Sequence, residues 1–234
     1  MAIPAGGLGV RVSIPMLTRY RDVRLLTPRG VFRPCSDAGM LIDAVRDHVR
    51  GDVLDVCTGS GVIALSLARS ACTMTAVDFS RAAVCAVRVA AVVNRVPVDV
   101  VHGDLFEPVG SRTFDVIVSN PPYLPTPEGV RAPCSHAWDG GHDGRSVLDR
   151  LCREAPARLR PGGELFVVQS SLAGTERTLT MLEDGGLRSS VAAVHRGPLG
   201  PRARSQAPYL RAIGVLRGAA VEEIVVVRAR LAPG

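Results

Sequence analysis

The chain has 234 residues, which is enough for one good-sized domain with short extensions. Of these residues, 47% are apolar, so we expect a packed core, but no apolar run reaches the roughly 18 residues that a membrane span requires. The formal net charge is +6, and every basic residue is Arg. Because an all-Arg composition is typical of a GC-rich coding sequence, we do not take this charge as a sign of a basic surface.

The cysteines and the N-terminus exclude further classes of protein. The six cysteines have neither C-x-x-C spacing nor a zinc-finger arrangement with His, so we expect no disulfide framework and no metal site. Residues 1–20 contain no unbroken apolar core and no clear cleavage site, so we expect no signal peptide and a cytoplasmic protein. One basic cluster, residues 195–204, is interpreted as a solvated loop. The alternative for this cluster is a contact to ribosomal RNA, to other nucleic acid or to an acidic protein face.

Secondary-structure patterns predict an N-terminal arm followed by a doubly wound α/β domain. Residues 1–30 carry no strong period and are expected to form a loose arm, and residues 31–234 form the domain. From residue 52 onward, apolar β-type runs alternate with helical patterns, which predicts a mostly parallel sheet with helices on both faces. The predicted helices are 37–49, 62–70, 80–94, 146–159 and 173–184. The predicted strands are 53–57, 73–78, 98–102, 114–119, 164–169, 187–195 and 221–229. The last two strands suit an antiparallel pair, joined by an irregular Gly/Pro/Arg segment.

A glycine-rich turn, DVCTGSG at residues 55–61, follows the first predicted strand of the domain and precedes a helix. Gly59 and Gly61 allow a tight turn and a close approach of the backbone to a ligand, and the following helix presents free N–H groups. The segment lacks the Lys-Ser/Thr of a P-loop and the third glycine of the dinucleotide fingerprint. It therefore indicates a nucleotide-type site of another kind.

Acidic residues end or follow the next two strands. Asp78 closes strand 73–78, about 20 residues after the glycines, where a carboxylate can accept hydrogen bonds from ribose hydroxyls. Asp104 follows strand 98–102 and can accept a hydrogen bond from an exocyclic amine. Each Asp taken alone is equally well explained as a helix cap or a turn residue. With Asp55 in the first strand, three consecutive strands carry an acidic residue in or after them, beside a glycine turn. This arrangement favours an adenosyl ligand.

The fourth strand of the domain ends abruptly in the motif Asn120-Pro121-Pro122-Tyr123. Proline has no N–H and cannot continue a central strand, so an amide and an aromatic ring are held on a stiff turn at the strand end. Asn-Pro is also a common turn starter, so a purely structural turn is the alternative. The motif opens a long irregular segment, 121–145, and loops of this length inside a compact domain are typically functional.

These motifs together resemble class I S-adenosylmethionine-dependent methyltransferases. More narrowly, the chain resembles the HemK/PrmC-type glutamine methyltransferases of peptide-chain release factors, in the short branch without a separate N-terminal helical domain. The resemblance covers about residues 25–230 and includes GVFRPCSDAGMLIDAV and AWDGGHDGRSVLDRL. The NPPY element is its most specific part, and adenine-N6 methyltransferases share that element. The resemblance implies a Rossmann-like seven-stranded sheet, mostly parallel with a terminal antiparallel strand, and S-adenosyl-L-methionine as cofactor.

The resemblance also implies roles for individual residues. Those expected to hold the cofactor are Asp55, Thr58, Gly59, Ser60, Gly61, Asp78, Phe79, Asp104, Leu105 and Asn120. Those expected to act in catalysis are Asn120, Pro121 and Tyr123, and those expected to contact the substrate are Asn120, Pro121, Pro122, Tyr123 and Asp37. Asp37 is equally well explained as the N-cap of helix 37–49. Cys57 stands where relatives often have Gly, and we expect it to fit without blocking the turn.

The residue types of the NPPY motif suit methyl transfer to a conjugated nitrogen, whose lone pair is weakly nucleophilic. Orienting that nitrogen can itself lower the barrier by several kcal/mol. The Asn120 side-chain oxygen and the Pro121 carbonyl can accept its two N–H bonds, and Tyr123 offers a flat face. No general base is obvious or required, since the proton can leave after transfer. Trp138 either lines the acceptor channel or pins the long loop to the domain, and we favour pinning.

We therefore predict an S-adenosylmethionine-dependent protein-glutamine N5-methyltransferase acting on the Gly-Gly-Gln glutamine of a release factor or on a similar protein. The alternatives are an adenine-N6 methyltransferase acting on DNA or RNA, a small-molecule N-methyltransferase and a non-catalytic methyltransferase-like subunit. The sequence shows few aromatic residues and no dense basic stripe, which speaks against gripping and flipping a base. The resemblance implies that a small activating partner subunit can be needed, and we expect no membrane partner.

Overall fold

The computed structural model describes residues 16–28, 31, 34, 36–129, 135–218 and 220–234. These residues form a two-stranded hairpin and a seven-stranded sheet with helices on both faces. The strands are β1 (Met16–Tyr20), β2 (Val23–Thr27), β3 (Asp52–Val56), β4 (Thr73–Asp78), β5 (Asp99–His102), β6 (Phe114–Ser119), β7 (Leu159–Ser170), β8 (Leu187–Pro198) and β9 (Val221–Leu231). The helices are α1 (Ser36–Val45), α2 (Val62–Leu67), α3 (Arg81–Asn94), α4 (Leu148–Glu154), α5 (Thr175–Asp184), α6 (Pro201–Ser205) and α7 (Ala207–Ala212).

The large sheet has the order β5-β4-β3-β6-β7-β9-β8. The strands from β5 to β7 run parallel to their neighbours, and β9 lies antiparallel between β7 and β8. This topology confirms the predicted doubly wound α/β fold and the antiparallel pairing of the last two strands. The strand order reverses at β3, because β4 and β5 follow it on one side and β6 lies on the other. Ligands of such sheets bind outside the carboxyl ends of the strands at this reversal.

The central strands are buried because helices cover both faces of the sheet. In β3 every residue after Asp52 is buried, and in β6 only Asp115 is not. On one face α1, α2 and α3 pack around a core that contains Phe166, and on the other α4 and α5 pack around Phe114. Burial of one such side chain stabilises the fold by about 1.5–3 kcal/mol. The strand ends that carry the site residues therefore stand on a rigid scaffold.

The N-terminal segment differs from the expected loose arm over residues 16–27, which form the β1–β2 hairpin. Val23 and Leu25 of β2 are buried in the main core, and β2 packs against α3. The Arg24 amide also donates to the Asn94 side chain at 2.8 Å, and Asn94 donates back to the Arg24 carbonyl at 2.6 Å. Residues 1–15 and 29–30 of the predicted arm lie outside the described residues.

Two further segments differ from the predicted pattern. Helix 146–159 is shorter than expected, because α4 ends at Glu154 and a 3₁₀ turn containing Pro156 leads into β7. The segment between β8 and β9, expected to be irregular, contains α6 and α7. Proline stands in the first turn of each, where its missing N–H costs no hydrogen bond. Within the described ranges, no helix is both long enough and apolar enough to cross a membrane.

Candidate active site

The glycine turn between β3 and α2 is built on the buried carboxyl group of Asp55. Its Oδ2 accepts hydrogen bonds from the Thr58 hydroxyl at 2.7 Å and from the Ala64 amide at 3.1 Å. Its Oδ1 has no hydrogen-bond partner among the described residues, and burial raises the pKa of the carboxyl to about 7. Asp55 therefore holds the shape of the turn from below. It does not reach the cavity where the cofactor contact was predicted.

The turn needs left-handed backbone at Cys57, Gly59 and Gly61, whose φ angles are 60°, 54° and 76°. Glycine adopts this conformation freely, whereas an L-residue such as Cys57 is destabilised by roughly 1–2 kcal/mol. Cys57 thus fits the turn, as expected, but in a strained conformation. A Cβ at Gly61 would come within 2.7 Å of the Val87 side chain of α3. Gly61 therefore permits close helix packing, and it does not line the cavity.

Asp78 connects the glycine turn to the end of β4. Its Oδ2 accepts the Gly59 amide and its Oδ1 the Ser80 amide, each at 2.8 Å. The residue is 8% exposed, and burial raises the pKa of its carboxyl in spite of these two bonds. Asp78 lines the cavity, and each of its carboxylate oxygens keeps acceptor capacity for a further donor.

Next to Asp78 the cavity is lined by apolar side chains and by a further carboxylate. Phe79 is 55% exposed and meets the ring of His136 edge-on, with centroids 5.3 Å apart. Leu105 is buried on the opposite strand connection. Asp104 lies beside it and forms an ion pair with Arg150 at 2.8 Å, which the sequence did not predict. Apolar surface with a carboxylate nearby suits a flat ring with an exocyclic amine.

The NPPY loop lies beside the glycine turn because β6 pairs with β3, with Ser119 opposite Val56. The Ser119 hydroxyl donates to the Val56 carbonyl at 2.8 Å and locks the two strand ends together. Asn120 is half-buried, and the two prolines after it are buried. The predicted juxtaposition of the two loops is therefore present.

The Tyr123 hydroxyl donates a hydrogen bond to Asp37 Oδ2, which joins residues 86 positions apart. The Ser36 hydroxyl lies 3.0 Å from the other carboxylate oxygen of Asp37. Asp37 stands within the first turn of α1, which begins at Ser36, so the N-cap interpretation does not hold. The bond ties α1 to the NPPY loop and holds the hydroxyl end of the tyrosine side chain in place.

Hydrogen bonds and apolar packing hold the described part of the long loop after the motif in place. Residues 130–134 of this loop lie outside the described residues. The Leu124 amide donates to the Trp138 carbonyl at 3.0 Å, and the Gly140 amide donates to the Leu124 carbonyl at 2.9 Å. The Trp138 ring packs against an apolar cluster that includes Leu199 and Leu210. Trp138 also lines the cavity. It therefore both pins the loop to the domain and lines the cavity, which the sequence analysis had treated as alternatives.

One cavity of about 840 Å³ joins these features, a volume typical of small-molecule sites. Twelve of the predicted site residues line it: Asp37, Thr58, Gly59, Ser60, Asp78, Phe79, Asp104, Leu105, Asn120, Pro121, Pro122 and Tyr123. Asp55 and Gly61 lie behind its wall. The cavity thus brings the carboxylates, the glycine turn and the NPPY loop into one space.

The cavity is also lined by residues that the sequence analysis did not place at the site. His195 and Arg202 belong to the cluster 195–204 that was interpreted as a solvated loop, and Glu222 was missed. Glu222 Oε1 accepts the Gly200 amide at 2.7 Å, and Oε2 accepts the Ser170 hydroxyl at 2.8 Å. Because β9 is antiparallel, its first residues lie at the carboxyl edge of β7. Two adjacent glutamates at the start of a strand that continues with four apolar residues were the available signal.

Comparison with known proteins identifies the family. Residues 22–185, more than half of the chain, match the model of the methyltransferase small domain. Over 181 residues the chain is 35% identical to a Methanocaldococcus jannaschii protein provisionally named protein N5-glutamine methyltransferase, covering 76% of this chain and 91% of that protein. It is 34% identical over 181 residues to the release factor glutamine methyltransferase of Gloeobacter violaceus, covering 70% of this chain. The match spans 62% of that relative, which is less than two thirds of its length.

A solved structure supports the fold assignment independently. It is that of the E. cuniculi Mtq2–Trm112 complex responsible for methylation of the eRF1 translation termination factor. The TM-score is 0.61 at 22% identity, and the match covers 87% of this chain and 99% of the matched chain. These findings confirm the resemblance seen in the motifs. The chain belongs to the methyltransferase small domain family and is an enzyme of the methyltransferase class.

Proposed function

We propose that this methyltransferase transfers a methyl group to the side-chain amide nitrogen of a protein glutamine, and that the acceptor is the Gly-Gly-Gln glutamine of a release factor. The observation that carries the proposal is that the NPPY loop and the glycine turn share one cavity at adjacent strand ends. Relatives named as protein N5-glutamine and release factor glutamine methyltransferases support it. Such an acceptor implies a reaction in the cytoplasm.

The residues around the glycine turn suit S-adenosylmethionine as the methyl donor. Beside Gly59 an added Cβ would find its nearest neighbour 4.0 Å away, so the backbone leaves room for a ligand. Asp78 keeps acceptor capacity for ribose hydroxyls, Phe79 and Leu105 offer apolar surface for adenine, and Asp104 offers a carboxylate for its amine. When bound, this cofactor supplies an electrophilic methyl group.

The chain's own contribution to the reaction is orientation of the acceptor. The Asn120 side-chain oxygen and the Pro121 carbonyl would accept the two N–H bonds of the glutamine amide and direct its nitrogen lone pair away from them. Pro121 and Pro122 are buried, so these acceptors need little reorganisation during the reaction. The Tyr123 ring, whose hydroxyl is anchored by its bond to Asp37, would offer a flat face to the amide.

The charge of the cavity wall favours an amide acceptor over a nucleic acid. The carboxylates of Asp37, Asp139 and Glu222 line the cavity in addition to those of Asp78 and Asp104, and Arg202 is the one arginine among its described lining residues. Phosphate groups brought to this wall would be repelled at close range, whereas a neutral amide would not. The wall therefore supports a protein acceptor.

A labelled-methyl transfer assay with two acceptors side by side tests this function. One acceptor is a release factor, and the other is single- and double-stranded DNA. We expect label in the release factor alone, and we expect Asn120→Ala to lose transfer at least 100-fold. Because the E. cuniculi structure is a complex of two proteins, the enzyme is assayed both alone and with any small subunit that copurifies. Label on adenine would replace the proposal by its nucleic-acid alternative. Donor binding without transfer would indicate a small-molecule acceptor.

A further inference from the structure

The excess positive charge of the chain is confined to one segment. Residues 185–221 contain six arginines and no Asp or Glu, whereas the rest of the chain contains 22 arginines and 22 acidic residues. The whole net charge of +6 therefore belongs to this segment, although arginines occur throughout the chain. Five of the six lie in the last three residues of β8 or between β8 and β9: Arg196, Arg202, Arg204, Arg211 and Arg217. We call residues 196–217 the arginine cap.

The arginines of the cap are accessible to solvent, and few of them have an acidic partner among the described residues. All five arginines are exposed. Of Arg196, Arg204, Arg211 and Arg217, only Arg196 forms an ion pair with a described residue, to Glu223 at 3.9 Å, and its side chain is 74% exposed. Arg204, Arg211 and Arg217 therefore carry positive charge that no ion pair with a described residue compensates, and this charge is available to an external partner.

The arginine cap is fixed in place next to the acceptor loop. Its apolar residues pack into one cluster with Leu124, the residue that follows the NPPY motif. The Tyr209 hydroxyl donates to the His142 carbonyl at 2.9 Å, and the Arg202 guanidinium lies 5.7 Å from the centre of the Trp138 ring. The cap residues in the cluster are Leu199, Ala203, Ala207, Leu210 and Leu216. The position of the cap relative to Asn120 is therefore set by buried apolar contacts.

The charges of the cap and of the cavity have opposite signs. Arg202 of the cap lines the cavity together with the carboxylates of Asp139 and Glu222. A polyanionic strand at this site would be attracted by the cap and repelled by these carboxylates. A protein with a neutral acceptor loop and an acidic neighbouring surface is attracted by the cap and is not repelled inside. The arrangement therefore fits an acidic protein face better than a nucleic acid.

We infer that the arginine cap is the docking surface for an acidic face of the acceptor protein, next to the loop that carries the methylated glutamine. This rests on the proposed protein-glutamine methylation. Exposed charges attract over about 8 Å at physiological salt, and arginine pairs with carboxylates through two parallel N–H bonds. The described residues contain no further substrate-binding module. The arginine cap accounts for how such a chain holds a folded acceptor.

Two triple variants with the same loss of charge test the inference. The cap triple is Arg204→Gln, Arg211→Gln and Arg217→Gln. The control triple changes exposed arginines remote from the cavity, at the paired strand ends Arg188 and Arg230 and at Arg153 on the last turn of α4. The acceptors are an intact release factor and a peptide of its Gly-Gly-Gln loop. For the intact protein we expect KM to rise about tenfold in the cap triple and less than twofold in the control, with kcat unchanged.

The peptide separates docking from chemistry. With the peptide, the wild type and both triples should have the same kcat/KM, and raising the salt should weaken binding of the intact protein to the wild type more than to the cap triple. Equal losses in the two triples, or a loss with the peptide, would overturn the inference. The inference would also be overturned if an RNA oligonucleotide competed with the release factor for the wild type but not for the cap triple. The surface would then bind nucleic acid.

Failure of the proposed function can be told apart from failure of this inference. Affinity for the release factor is also measured by titration, without turnover. If the wild type binds the release factor but methylates nothing in it, the proposed function fails, and the comparison of the two triples still decides the docking surface. Absence of binding to the wild type would overturn both.

Discussion

Replacing Asp55 with Asn is expected to change how stability depends on pH. Asp55 is fully buried below the glycine turn, and burial raises the pKa of its carboxyl from 3.8 to about 7, with a smaller contribution from the charge of Asp78. The folded state therefore keeps the carboxyl protonated where the unfolded chain is already ionised. The folded state loses stability relative to the unfolded state as the pH rises from about 4 to about 7, and the loss is then constant.

The difference between the unfolded and the folded pKa of Asp55 sets the size of this effect. Each pH unit between the unfolded and folded pKa corresponds to about 1.4 kcal/mol, so the full loss is about 4 kcal/mol above pH 7. Asn cannot ionise, and its side-chain oxygen can still accept the bonds from the Thr58 hydroxyl and the Ala64 amide. Asp55→Asn should therefore become more stable relative to the wild type by about 4 kcal/mol between pH 4 and pH 8.

Urea unfolding of the wild type and of Asp55→Asn at several pH values measures this difference. Asp22→Asn, at the exposed turn of the β1–β2 hairpin, is the control and should follow the wild type at every pH. A difference between Asp55→Asn and the wild type that stays constant from pH 4 to pH 8 would refute the reasoning. It would mean that the buried carboxyl is ionised in the folded state throughout.

Three further changes have defined outcomes. Cys57→Gly should be more stable than Cys57→Ala by about 1–2 kcal/mol in thermal unfolding, because only Gly relieves the left-handed backbone, and equal stabilities would contradict the strain. Tyr123→Phe removes the bond to Asp37 and should lower kcat about tenfold in steady-state assays, with unchanged affinity for S-adenosylmethionine. Weaker binding of the donor with unchanged kcat would contradict a positioning role for this bond. Arg145→Met should lower the free energy of unfolding in urea by about 3 kcal/mol, because Arg145 is 3% exposed and makes several buried hydrogen bonds. The control Arg153→Met, at an exposed position, should change it by less than about 0.5 kcal/mol. Similar losses in the two variants would show that the buried hydrogen bonds add nothing.

The parallel core and the two facing loops could be predicted because their signals are local. Strands buried on both faces are continuously apolar, as in β3 and β6, and glycines and prolines mark where such strands end. The neighbourhood of the glycine turn and the NPPY loop then follows from the order reversal of a doubly wound sheet. None of these steps needs knowledge of which residues meet across the chain.

The features that the sequence analysis missed depend on contacts between distant residues. The β1–β2 hairpin is held by packing of Leu25 into the core and by the bonds of Asn94, about 70 positions away. The bond from Tyr123 to Asp37 leaves no trace in either local pattern. Helices α6 and α7 are short and contain prolines, and they are stabilised by the apolar cluster under the arginine cap rather than by intrinsic preference.

The central claim is that the NPPY loop presents a protein glutamine for methylation. Its most direct test is tandem mass spectrometry of a release factor after incubation with the enzyme and S-adenosylmethionine, alongside Asn120→Ala. The account predicts one added methyl group on the glutamine of the Gly-Gly-Gln loop in the wild-type reaction and none with the variant. A methyl group on any other residue, or one that persists with Asn120→Ala, would contradict it.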